Sequence, residues 1–371
     1  MATLFTEYAG LVLKNPIIVA AGPWSRNGAA IQRSIDAGAG AVVTETITMD
    51  VRHNPSPRLF GDAHGDQLFN TTLYSDMHLE QWERDFESLR RGDCKLIASI
   101  WGSSPSELSY LAGRVERMGA DAIEVSISAP LGTRDEALNS YPQEICGYIR
   151  AVAETVDIPV FVKLSYEAAN SRGFTDSLAR SGVDGVTAID SLKGLNGVDL
   201  ENRRVQMATY GGYSGPPIKP VALATITTLK QVTNLPLCGC GGIQTAEHVL
   251  EFLMLGAHSV QLASVILREG YGTISRILKD LEGWLTAHHC HSVEELVGQA
   301  LDSLQPFEDI PPRPLVARLT GDCDGCGRCT KSCLYGALRY ANNNLDVLPD
   351  QCAGCGMCVS VCPQKALQLG W

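Results

Sequence analysis

The sequence predicts an α/β protein: a (β/α)8, or TIM, barrel followed by a small domain organised by cysteines. Three observations carry that expectation. Short apolar runs alternate with amphipathic stretches over residues 1–304. Eight of the 13 cysteines fall within the last 50 residues. Between the two, residues 305–314 (QPFEDIPPRP) hold four prolines and no periodicity, as a linker does.

The apolar runs are expected as strands at 16–20 (PIIVA), 41–46 (AVVTET), 95–100 (KLIASI) and 122–127 (AIEVSI), then at 160–164 (VFVKL), 185–189 (GVTAI), 235–238 (LPLC) and 259–263 (SVQLA). Continuous apolar strands imply a parallel sheet covered on both faces. Seven of the intervening segments can hold a helix, among them 107–118, 175–181 and 246–254. Eight such units fit a closed barrel better than the alternative, an open doubly wound sheet. The expected domains are a barrel at 1–304, a linker at 305–318 and a cysteine domain at 319–371.

The bulk numbers agree with this division. A chain of 371 residues, 45% hydrophobic and 19% charged, can bury a large core and more than one folding unit. Its formal net charge of −11 argues against nucleic acid and anionic membrane as partners. No apolar run reaches the roughly 18 residues of a membrane-spanning helix. The start, MATLFTEYAG, lacks the basic-then-apolar pattern of a secretory signal. A long body sparse in cysteine with a dense tail points to a reducing compartment, the cytoplasm, and to metal in the tail.

The tail reads Cys323-x2-Cys326-x2-Cys329-x3-Cys333 and then Cys352-x2-Cys355-x2-Cys358-x3-Cys362-Pro363. This is the spacing of a bacterial-type 2[4Fe–4S] ferredoxin domain, in which the fourth cysteine of each run ligates the other cluster. Cys323, Cys326, Cys329 and Cys362 are therefore expected to hold one [4Fe–4S] cluster, and Cys352, Cys355, Cys358 and Cys333 the second. A pair of zinc knuckles is the alternative, and the doubled run is a poor zinc pattern. Leu334 stands where a proline usually follows the fourth cysteine.

Clusters that move single electrons call for a cofactor that pairs them, and flavin is the usual one. Glycine loops offer it a seat: Gly239 to Gly242 after the seventh strand, Ala263-Ser264 ending the eighth, and Tyr210 to Gly215 after the sixth. A short glycine pair alone is more often a turn. Lys163 ends the fifth strand and can place a cation beside the flavin ring, the alternative being a surface lysine.

With NPIIVAAGP, GAVVTETIT, VKLS, GVDGVTAIDS, YGGYSG, CGCGGI, LAS and the cysteine tail in this order, the chain resembles the dihydroorotate dehydrogenase-like flavoproteins. It looks most like the dihydropyrimidine dehydrogenase branch, in which an FMN barrel is joined to a two-cluster ferredoxin domain. The resemblance implies FMN contacts from Ala20, Ala21, Asn70, Lys163, Ser191, Gly215, Gly241, Gly242, Ala263 and Ser264.

It also locates the departures. The family's fourth strand ends in Asn-x-Ser-Cys-Pro, whose cysteine moves the proton opposite the flavin hydride. In IEVSISAPLG the asparagine is Ser126 and the cysteine is Ala129, with Ser128 between them. A family lysine after strand two is Glu45, and an asparagine after strand six is Asp190, while Asn70 is kept. The pocket thus gains acceptors and loses donors, so an orotate-like anion meets repulsion. The expected substrate donates hydrogen bonds or carries positive charge, unless Glu45 and Asp190 are absorbed by Arg26, Arg52 or Arg134. Glu45 and Asp190 become the expected proton-transfer groups, with Tyr74, His78 and Ser128 behind them.

The resulting expectation is an oxidoreductase with FMN and two [4Fe–4S] clusters acting on a C=C or C=N bond of a small cyclic or conjugated substrate, neither orotate nor uracil in view of these changes. Asn70, Tyr74, Ser126, Ser128 and Ala129 would face that substrate, with Glu45, Asp190 and Lys163 catalytic. Electrons would come from a ferredoxin or an NAD(P)H-oxidising flavoprotein subunit, because no GxGxxG site follows a strand. A homodimer is expected. The alternative function is an electron-transfer subunit without a small-molecule substrate.

Overall fold

In the computed structural model, which describes residues 3–61, 66–128, 131, 142–313, 315–342 and 344–369, the chain divides into two compact units, Met1–Ser303 and Leu304–Trp371. The first is a closed barrel of eight strands: β1 (Ile17–Val19), β2 (Ala41–Val43), β3 (Lys95–Ile100), β4 (Ala122–Ser126), β5 (Val160–Leu164), β6 (Gly185–Ala188), β7 (Leu237–Cys240) and β8 (Ser259–Leu262). They pair in sequence order, all parallel, and β8 closes on β1. The seventh strand starts two residues later than the sequence suggests. Pro236 has no N–H to give the ladder and enters it only through its carbonyl, which accepts from Val186 N at 2.9 Å.

The covering helices follow from their patterns. In Pro105–Arg117, Ser104 Oγ accepts from Glu107 N, proline opens the first turn, and Leu108, Leu111, Ala112 and Val115 form one buried stripe. In Ala246–Met254, Thr245 caps the start and Val249, Leu250, Phe252 and Leu253 face the barrel core. Among the described residues no helix is long and apolar enough to cross a membrane.

The barrel interior changes character along its axis. At the N-terminal end a hairpin, Thr6–Tyr8 with Leu11–Leu13, packs Tyr8, Leu11 and Leu13 against Ile18, Val43, Ile97 and Phe161. The Tyr8 and Phe161 rings lie 4.6 Å apart. Towards the C-terminal end the inward positions become polar: Glu124, Lys163, Thr187 and Gln261, all at most 8% exposed.

A second sheet lies outside the barrel ladder. Leu192–Gly194 and Gly211–Ser214 from the loop after β6 join Leu68–Asn70 and Leu59–Gly61 from the loop after β2, antiparallel throughout. Gly212 pairs with Asn70, and the Phe69 and Tyr213 rings sit 5.1 Å apart.

The second unit is small and nearly two-fold in its sequence. Helices Arg328–Ser332 and Met357–Ser360 each begin between the second and third cysteine of a run. Hairpin Leu338–Ala341 with Asn344–Val347 and the pair Arg318–Leu319 with Leu367–Gln368 enclose them. Its core is Ala317, Leu338, Leu345 and Leu367 packed on Cys329 and Cys358.

Candidate active site

A cavity of about 530 Å³ opens at the C-terminal ends of the barrel strands, a size typical of small-molecule sites. It gathers Ala21 from the end of β1, Glu45 from β2, Ser126 and Ser128 from β4, Lys163 from β5, and Asp190 and Ser191 from β6. Asn70 and Tyr74 reach it from the loop after β2. Ala129 and Arg134 lie outside the described residues.

Glu45 is held by its backbone. Its N–H donates to Ser25 O at 3.1 Å, while Thr44 Oγ1 accepts from Ser99 N and Thr46 Oγ1 bonds Ser99 Oγ at 2.9 Å. Only 5% exposed, its carboxyl is pushed up to about 7, chiefly by burial and next by Asp76, against the opposing pull of Arg58 and Arg26. Among the described residues it forms no ion pair, and Arg52 is engaged by Asp50 at 2.5 Å. Asp190 is half-buried, and its Oδ1 accepts from Ser191 N at 2.8 Å.

Lys163 forms part of the floor. Its Nζ donates to Gln261 Oε1 at 3.1 Å; Gln261 Nε2 donates to Glu124 Oε2 at 2.5 Å, and Thr187 Oγ1 donates to the same oxygen at 2.8 Å. Burial works against the ammonium charge, but the carboxylates facing it, Glu124 and then Asp190, outweigh burial and hold its pKa well above the ordinary lysine value. Glu124, Thr187 and Gln261 were not foreseen. Their signal was present in the period-2 alternation, which turns them inward with Phe161 and Lys163.

The rim is aromatic and hydroxylated. Tyr74 stacks on Trp101 at 4.7 Å and donates to Ser128 O at 3.4 Å. Ser128 Oγ and Thr72 Oγ1, both at this cavity, are buried without a hydrogen-bond partner among the described residues. Asn70 Oδ1 accepts from Thr72 N at 2.8 Å. His78 is not at the cavity; it starts helix Leu79–Ser88, its N–H donating to Gln81 Oε1.

The remaining expected cofactor contacts, Ala20, Gly215, Gly241, Gly242, Ala263 and Ser264, do not line this cavity and group in the loops after β1, β6, β7 and β8. Ala20 N donates to Leu262 O at 2.9 Å, which sets it beside Ala263. Gly242, at φ +71°, packs its backbone against Gly215 and Lys219 so closely that a Cβ would have no room. Such a side-chain-free cradle of N–H groups suits a phosphate.

In the second unit the eight cysteines fall into two groups of four. One small cavity is lined by Cys323, Cys326, Cys329 and Cys362, the other by Cys333, Cys352, Cys355 and Cys358. The fourth cysteine of each run therefore sits with the first three of the other.

Comparison with known proteins agrees with this arrangement. Residues 3–285 match the dihydroorotate dehydrogenase family, and residues 322–367 match a 4Fe-4S dicluster domain. The NAD-dependent dihydropyrimidine dehydrogenase subunit PreA of Escherichia coli (strain K12) is 30% identical over 90% of this chain and 86% of its own length. The dihydroorotate dehydrogenase B (NAD(+)) catalytic subunit of Desulforudis audaxviator is 35% identical over 79% of this chain and 95% of its own. The chloroplastic dihydropyrimidine dehydrogenase (NADP(+)) of Arabidopsis thaliana is 28% identical over 82% of this chain. Barrel, cavity, cysteine groups and these matches together make the chain a member of the dihydroorotate dehydrogenase family, an iron–sulfur flavoprotein oxidoreductase acting on CH–CH or CH–NH groups.

Proposed function

We propose that the chain is a cytoplasmic oxidoreductase with FMN and two [4Fe–4S] clusters. It takes electrons from a ferredoxin or an NAD(P)H-oxidising flavoprotein subunit and reduces, or reversibly oxidises, a C=C or C=N bond of a small cyclic substrate. That substrate donates hydrogen bonds or carries positive charge, and is neither orotate nor uracil. The observation that carries this reading is the meeting of Glu45, at about 7, with Asp190 in one cavity floored by a lysine.

The residues present fit the cofactor. The Gly215, Gly241 and Gly242 backbone with Ala263 and Ser264 would hold the phosphate, and Ala20, Ala21, Asn70, Lys163 and Ser191 would hold the remainder. Bound FMN supplies the exchange between single electrons and hydride. Each group of four thiols would hold one cluster.

The chain's own groups divide the remaining work. Glu45 exchanges protons near neutral pH, in place of the family cysteine that Ala129 replaces. Asp190 keeps Oδ2 available to accept from a substrate N–H. Ser126 and Ser128 add hydroxyls, and the Tyr74–Trp101 stack offers a flat wall to a ring.

The test is anaerobic. Flavin reduced with dithionite is mixed with a panel of unsaturated heterocycles, cationic, neutral and anionic, and reoxidation is followed by absorbance. Reoxidation by cationic or N–H-rich members supports the reading. Reoxidation by protein acceptors alone overturns it in favour of an electron-transfer subunit, and turnover of uracil or orotate overturns the substrate assignment.

A further inference from the structure

The polar layer beneath the cavity has a one-way wiring that the proposed chemistry does not use. Glu124 is 1% exposed, and its Oε2 accepts from both Gln261 Nε2 and Thr187 Oγ1, while among the described residues Oε1 has no partner. With its NH2 group committed to Glu124, the Gln261 amide must turn its oxygen to Lys163. The four residues come from β4, β5, β6 and β8, so the chain of bonds crosses the barrel interior.

We propose that Glu124 and Gln261 are positioning residues: Glu124 is the buried counter-charge of Lys163, and Gln261 the oriented bridge that holds the ammonium at the cavity floor and keeps it protonated. The proposal rests on the reading of this cavity as the flavin seat.

The other groups facing Lys163 do not substitute for Glu124. Asp190 approaches from the loop after β6 but is half-buried and already accepts from Ser191 N. Cys240 and Cys238 of β7 are buried thiols, pushed up to about 11 and higher still by burial, and so neutral at working pH. Gln261 and Thr187 carry no charge. A buried lysine stripped of its counter-charge loses its proton within reach of neutral pH, because burial favours the neutral amine. The amide bridge takes one ammonium donor, through Gln261 Oε1.

The experiment measures the midpoint potential of bound flavin in the full chain from about pH 6 to about pH 9.5. Four proteins are compared: wild type, Lys163→Met, Glu124→Gln and the double variant. Between wild type and Lys163→Met the gap should be large and constant with pH, wild type being higher. Between Glu124→Gln and the double variant the gap should match at low pH and close as pH rises. A gap that stays constant in the Glu124→Gln background overturns the proposal alone. No shift on Lys163→Met at any pH overturns it together with the flavin reading. If Glu124→Gln does not fold, Glu124→Leu, which also removes the carboxylate, is measured against its own Lys163→Met partner, with the same closing or constant gap deciding.

Discussion

The carbonyl oxygen of Gly215 lies where a side chain on Gly242 would begin: a Cβ there would sit 3.0 Å from it and 2.8 Å from the Lys219 nitrogen. Both crowding atoms are backbone, so neither can swing aside, and φ at +71° adds its own strain. Gly242→Ala should cost about 1–3 kcal/mol and loosen FMN. A lower Tm with flavin released on gel filtration is the expected result.

Glu45→Gln should reduce substrate turnover by about 10²–10⁴-fold, the usual worth of a placed acid or base, while FMN stays bound. In the reductive direction, wild-type turnover should fall as pH rises through about 7, where the carboxyl empties of protons. The variant should show a low, flat profile. Steady-state rates against pH, with flavin content as control, decide the matter.

The same substitution should stabilise the fold in alkali. A carboxyl held at about 7 in the folded chain, against its ordinary 4.5, is protonated longer folded than unfolded. Stability is therefore lost as pH rises between those values and stays lost above them, on the order of 3 kcal/mol at about 1.4 kcal/mol per pH unit. Glu45→Gln should raise stability at pH about 8 and leave it little changed at about 4. Denaturant midpoints at the two pH values measure the difference.

Cys329→Ala should remove one cluster and activity driven by a protein donor, yet spare flavin reduction by dithionite. Iron and sulfide content should fall by about half. Retention of both clusters would reassign this thiol, which lines a cavity with Cys323, Cys326 and Cys362.

Ala129→Cys restores the family's proton-transfer residue without its surroundings. No dihydropyrimidine activity should appear, because Glu45 and Asp190 still line the cavity. Uracil or dihydrouracil turnover above the wild-type background would show that the change at 129 alone sets the substrate.

What was legible in the chain follows from range. Apolar runs such as VFVKL carry their burial in five consecutive residues, and cysteine spacing states its chemistry directly. Glu124 and Gln261 were passed over because a polar residue inside an apolar run reads as an interruption until the neighbouring strands fix which way it points. The sheet joining Leu68–Asn70 to Gly211–Ser214 was missed for a different reason. Its strands of three or four residues have no pattern of their own, and they pair across nearly half of the unit's sequence.

That sheet makes the rim of the cavity a single part. Asn70 and Gly212 are ladder partners, and Ser191 packs on Gly212, so a shift in the loop after β2 is passed by main-chain hydrogen bonds to the loop after β6. Changing what the pocket accepts is thus a two-loop operation. A relative's segment grafted after β2 alone would arrive with an edge that its neighbour cannot pair, whereas both segments exchanged together would carry their seam with them.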